Sequence, residues 1–209
     1  MLKKTTSSAL LIIDVQNDFC PGGSLAVAEG DKIVPVINGF MPAFRFIIAT
    51  QDWHPRAHVS FASNHKGKKP LEVITHQGRE QVLWPDHCVQ GTKGADFHQG
   101  LDTRPLSLIV RKGTDPGLDS YSAFFENDKK TKTGLAGFLK DLSITNLYIC
   151  GLATDYCVFA SAQDALGLGF EVMVLEDACR GVDFPQGSVV QALASLKKQG
   201  AKILTSQDL

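Results

Sequence analysis

Six short runs of aliphatic and β-branched residues constrain the fold of this 209-residue chain more than any other feature. They are ALLIIDV (9–15), RFIIAT (45–50), SLIVRK (107–112), NLYICG (146–151), FEVMVLE (170–176) and AKILT (201–205). Each run is continuously apolar rather than alternating, the pattern of a strand buried on both faces of a parallel sheet. Parallel neighbours need crossovers, and amphipathic stretches at about 31–43, 133–142, 154–167 and 184–198 supply helices between the runs. The pattern predicts an α/β fold, a doubly wound sheet of about six parallel strands flanked by helices. With no internal repeat, linker or low-complexity segment, residues 1–209 read as a single domain.

Composition narrows the partners. A formal net charge of -1 and 44% hydrophobic residues argue against a nucleic-acid binder or a polybasic membrane-surface protein. The start, MLKKTTSSALLIIDVQ, is basic, but its apolar run of about five residues before Asp14 is shorter than a secretory h-region, and no small-residue cleavage site follows. No stretch approaches the roughly 20 apolar residues of a spanning helix. A cytoplasmic protein with no membrane or nucleic-acid partner is expected. The five cysteines, at 20, 88, 150, 157 and 179, are odd in number and form no CxxC pair. That spacing speaks against a zinc ribbon or a thioredoxin-type motif, and most of the five are expected to be small buried hydrophobes.

Two long connections, 51–106 and 113–132, interrupt the strand–helix alternation; long loops in a compact domain are usually functional or disordered, and the aromatic residues in both argue for order. The tract Lys129–Lys132 within the second reads as a solvated face. Segment 65–80 has no assigned role; a lid and a subunit contact are both open.

Ligands of doubly wound sheets bind beyond the carboxyl ends of the strands. The first run delivers Asp14 there, the second Asp52 and His54, and the third Lys112. The fourth leads through LATDY to Cys157. Singly, Asp14 could cap a turn, Lys112 could be an edge charge and Asp52 could start the WHP turn. Four strands depositing reactive groups at one edge favour a site. Thr154 is placed as N-cap, with Asp155 in the first turn and Cys157 close behind, where free N–H groups and the helix dipole would favour thiolate. Cys150, inside a strand, is expected in the core.

All six histidines, at 54, 58, 65, 76, 87 and 98, fall within 51–106. Asp52, His54 and His87 form a candidate ligand set for Zn²⁺, Mn²⁺ or Fe²⁺, a weak signal by itself. His65, His76 and His98 are expected on the surface. Together these residues suggest acyl transfer through a cysteine. Asp14 would take the thiol proton, Lys112 would hold the anions, and N–H groups at the start of the 154–167 helix would stabilise an oxyanion. A metal would polarise or anchor a substrate atom, or activate water.

The blocks LLIIDVQNDFCPGGSLAV, TQDWHPRAHVSFASNH, WPDHCVQGTKGADFH, KGTDPGLDSYSAFF and GLATDYCVFASAQDALGLGFEVMVLEDACRGV, spread over about residues 9–183, resemble the nicotinamidases of the isochorismatase-like hydrolase superfamily. The resemblance implies an isochorismatase-like fold with Rossmann-like strand order and an Asp14–Lys112–Cys157 triad. It implies one divalent metal on Asp52, His54 and His87, zinc before manganese or iron, and no organic cofactor. His58 or Ser60 could add a further ligand. It also implies an aromatic clamp of Phe19, Trp84 and Tyr121. A cis Leu152–Ala153 peptide would turn the Ala153 N–H, with that of Cys157, toward the oxyanion. The implied reaction is hydrolysis of nicotinamide to nicotinate and ammonia in NAD salvage. Self-association is left open. The rivals are another amide or ureide hydrolase of the superfamily, or a thiol or metal-binding module without hydrolysis; the latter would leave Asp14 and Lys112 without a task.

Overall fold

The run at 8–13 is buried at every position, as befits a strand in the middle of a sheet. The structure, a computed structural model, describes residues 6–209; the basic start at Lys3 and Lys4 lies outside the described residues. Its strands are β1 (Ser8–Ile13), β2 (Phe46–Asp52), β3 (Val73–His76), β4 (Arg79–Val82), β5 (Leu108–Lys112), β6 (Asn146–Leu152), β7 (Glu171–Arg180) and β8 (Lys202–Leu204). Six of them form one parallel sheet in the order β5-β2-β1-β6-β7-β8. All six predicted runs are therefore strands, and the order is the Rossmann-like one. Leu10, Leu11, Ile12 and Ile13 on β1 are at most 1% exposed, and each such side chain contributes roughly 1.5–3 kcal/mol relative to exposure.

The chain builds outward from β1 in both directions, so strand order reverses between β1 and β6. That reversal opens the crevice at the carboxyl edge where α/β sheets bind ligands. At this point the two strands run close together. A Cβ on Gly151 would collide with the backbone of Ile13, and Gly151 has φ 119°; only glycine meets both demands. One residue beyond Ile13, Asp14 adopts a left-handed φ of 47°, which Asp accepts more readily than a β-branched residue. The Leu152–Ala153 and Phe184–Pro185 peptide bonds are cis.

The helices are α1 (Ile33–Phe40), α2 (Leu135–Asp141), α3 (Phe159–Gly167) and α4 (Ser188–Lys198). α1 is shorter than the amphipathic stretch because 3-10 turns flank it, the second carrying Pro42, whose ring cannot continue an α-helix. α4 starts at Ser188 rather than 184, and residues 181–187 form a loop. The 154–167 stretch opens with a π-helical turn, Thr154–Val158, before α3. Thr154 therefore lies inside the turn and is not its cap; the N-cap is Ala153, without a side-chain cap bond. The unassigned 65–80 segment contributes β3 to an antiparallel hairpin with β4.

Candidate active site

The sheet order brings three of the strand-end groups into contact. Lys112, fully buried, sits at the end of β5 with Nζ 2.9 Å from Asp14 Oδ2 and 3.6 Å from Cys157 Sγ. The same ammonium also pairs with Asp52 Oδ1 and donates to the Ser120 carbonyl at 3.3 Å. Asp14 is fixed from the other side by Thr50, whose hydroxyl donates to Asp14 Oδ1 at 2.6 Å and accepts the Asp14 N–H at 3.1 Å. One Asp14 oxygen, one Asp52 oxygen and Cys157 Sγ all lie within 4.8 Å of one another.

Burial governs the charges here. It pushes the Cys157 thiol well above its ordinary pKa; Lys112 opposes the shift and Asp14 adds to it. Burial likewise raises the Asp14 carboxyl, again against Lys112. Burial alone would discharge Lys112, but Asp14, Asp52 and Cys157 more than offset that and hold it charged. Burial thus works against the helix start, which by itself favours thiolate.

A second group lies beside the first. Asp52 Oδ2 is 3.5 Å from His54 Nε2 and 4.0 Å from His87 Nε2. His54 Nδ1 bonds the Gly113 carbonyl at 2.9 Å and His87 Nδ1 bonds that of Pro85 at 2.7 Å. Carbonyls only accept, so each Nδ1 carries the proton and each Nε2 turns a lone pair toward Asp52. Burial takes His87 down to about 4, which suits a neutral imidazole donor. Two imidazole nitrogens and a carboxylate oxygen whose partner oxygen is engaged by Lys112 fit a divalent cation. Gly113 is required for this: with φ 63°, a Cβ there would strike the His54 ring.

His58 and Ser60 adjoin the cluster but are occupied with each other. His58 Nδ1 is 2.7 Å from Ser60 Oγ, and its Nε2 donates to the Leu118 carbonyl at 3.2 Å. While both bonds hold, neither His58 nitrogen is free. His65, His76 and His98 lie apart and half-buried, bonded to Val59 O, Gly117 O and Gly100 N. Cys150 is buried in β6 as expected, and Lys129 pairs with Asp164 at the surface.

The pocket reaching Cys157 has an aromatic and aliphatic wall of Phe19, Leu25, Val27, Trp84, Tyr121 and Tyr156, with Ala153 and Val182. Asp52, His87 and Asp119 line its polar side. Trp84 Nε1 donates to Tyr121 Oη at 3.2 Å, and both rings meet Tyr156 edge-on. Sequence reading placed Phe19, Trp84 and Tyr121 here but missed Leu25, Val27, Asp119, Tyr156 and Val182. Tyr156 could have been found as the neighbour of Cys157. Asp119 carried no signal: its placement depends on Gln81 of the hairpin, which donates to Asp119 Oδ2 at 2.7 Å.

Fold and site together define a class: a single-domain α/β protein with a thiol-centred pocket beside a candidate metal cluster. The chain belongs to the isochorismatase family, since the Isochorismatase domain profile matches residues 8–208. It is similar to a nicotinamidase of Acinetobacter baylyi, 47% identical over all of this chain and 97% of that one. It also resembles the solved nicotinamidase/pyrazinamidase of Acinetobacter baumanii, with TM-score 0.95, 49% identity and 99% of each chain covered. The pyrazinamidase of Pyrococcus horikoshii, solved in complex with zinc, matches with TM-score 0.79 and 39% identity over 95% of this chain and 99% of that one. Among the described residues, no helix is long and apolar enough to cross a membrane.

Proposed function

We propose that this chain hydrolyses nicotinamide to nicotinate and ammonia, returning the pyridine for NAD salvage in the cytoplasm. The observation that carries the reading is the convergence of Asp14, Lys112 and Cys157 at the floor of an apolar-walled pocket, with Asp52, His54 and His87 on one side. The names of the relatives supply the substrate.

In this reading Phe19, Trp84 and Tyr121 clamp the ring, with Tyr156 completing the wall, and the amide carbon faces Cys157. Asp14 takes the thiol proton as Sγ bonds to that carbon. The N–H groups of Ala153 and Cys157 receive the oxyanion. The C–N bond then breaks, Asp14 returns the proton to nitrogen, and ammonia leaves. Water attacks the thioester, giving its proton to Asp14; the C–S bond breaks and the thiol is restored by that proton. Lys112 keeps Asp14 ionised between transfers. A divalent cation on Asp52, His54 and His87, zinc in this reading, would supply an anchor for the ring nitrogen and Lewis acidity; His58 and Ser60 are the reserve ligands.

Ammonia release from nicotinamide, measured with the holoenzyme, after complete chelation and after zinc is restored, tests this. Activity that falls at least tenfold on chelation and returns with zinc is expected. No release from the holoenzyme would refute the substrate, and unchanged activity after metal removal would refute the metal role.

A further inference from the structure

The loop 181–187 and the start of α4 are tied to the turn that carries Cys157. Asp155 Oδ1 accepts the Val182 N–H at 2.9 Å, and Oδ2 accepts the Asp183 N–H at 2.9 Å and the Ser188 hydroxyl at 2.6 Å. Tyr156 Oη donates to the Phe184 carbonyl at 3.0 Å. Gly181 passes so near that a Cβ would come within 2.9 Å of Asp155 Oδ1. Val182 lines the pocket with Tyr156 and Cys157, yet it is 38% exposed, and Phe184 beyond it is 54% exposed. The rest of the loop is held locally, by Asp183 Oδ1 accepting the Gly187 and Val189 N–H groups at 2.9 and 3.2 Å. Its tie to the Cys157 turn therefore runs through Asp155 and Tyr156, and bonds to a carboxylate are among the stronger hydrogen bonds. Three consecutive residues thus divide the work. Residues 155 and 156 fix the outer wall, and residue 157 bears the reactive sulfur, so wall and sulfur keep a set separation.

We propose that Asp155 is a positioning residue: by latching Val182 it sets the width of the pocket at the ring edge, and with it the selectivity among ring-substituted pyridinecarboxamides. This rests on the nicotinamide reading above. With the amide carbon at Cys157 and the ring nitrogen toward Asp52, His54 and His87, C5 is the ring carbon opposite both anchors. A substituent at C5 points away from both anchors, and in this proposal toward the part of the wall that includes Val182.

The test compares nicotinamide with 5-methylnicotinamide in wild type, Asp155→Asn and Ser188→Ala, and follows hydrogen exchange at the Val182 and Asp183 amides. In Asp155→Asn an amide group replaces one acceptor oxygen and faces donors. Exchange at both amides should accelerate about tenfold. The kcat/KM ratio of 5-methylnicotinamide to nicotinamide should rise about tenfold or more, since one methyl group in an apolar pocket discriminates by roughly 10–200-fold. The change should fall mainly in KM. Ser188→Ala, outside the pocket, removes one of the three bonds and should raise the ratio about threefold. A merely structural role would lower activity on both substrates alike. Ratios within about twofold of wild type in these variants, even with faster exchange, overturn the proposal; if Asp155→Asn does not fold, Ser188→Ala decides. A wild type inactive on nicotinamide would instead sink the functional reading, and unchanged exchange would then sink the latch independently.

Discussion

Lys112→Met removes the cation that Asp14, Cys157 and Asp52 share. Lys112 is fully buried, 2.9 Å from Asp14 Oδ2. At an effective dielectric of about 20, that separation corresponds to a Coulomb attraction of about 6 kcal/mol, roughly four decades in the ionisation of Asp14. Burial already raises the Asp14 carboxyl, and Lys112 is the largest influence holding it down. Without the ammonium, the upward push of burial on Asp14 goes unopposed by its largest counterweight, and in the proposed mechanism a protonated Asp14 cannot receive the thiol proton. The expected result is a fall in kcat/KM of about 10³–10⁴-fold in an ammonia-release assay. Breaking a buried pair costs about 3–5 kcal/mol of stability, but protonation of Asp14 relieves part of that and Met fills most of the space. The variant is therefore expected to fold, which circular dichroism checks. Metal content is measured alongside, because Asp52 also loses its partner. A folded, metal-loaded Lys112→Met enzyme within tenfold of wild type would refute the electrostatic reasoning.

Two further predictions concern charge and backbone. In the proposed mechanism Asp14 works only when ionised, and burial raises its pKa, so activity should be lost as pH falls through a value above the ordinary carboxylate range near about 3.9. A kcat/KM profile whose acid limb lies at or below that range would contradict this. Gly113→Ala should push the His54 ring aside and weaken zinc binding by about 10–100-fold in equilibrium dialysis; unchanged affinity would show that the ring has room to yield.

The strands were legible because a doubly buried parallel strand is written as a continuous apolar run, and all six runs are strands of the observed sheet. The polar groups at their ends were legible for the same reason: Asp14 and Lys112 interrupt or end such runs. Helix boundaries were less so. Nothing local marks the π turn at Thr154–Val158, and the late start of α4 depends on loop 181–187 being held by Asp155, a contact 27 or more residues away in sequence. The same limit hid Asp119 and Val182, which are bonded at the pocket by Gln81 and Asp155. The upward push of burial on the Cys157 thiol was hidden too, because helix-start chemistry can be read locally whereas complete burial cannot.

The central claim is that Cys157 carries the acyl group, and Cys157→Ala tests it most directly. Wild type should release nicotinate and ammonia from nicotinamide in equal amounts, while the folded, metal-loaded variant should release neither above the uncatalysed background. Substantial ammonia release by Cys157→Ala would contradict the covalent route and with it the roles given to Asp14 and Lys112.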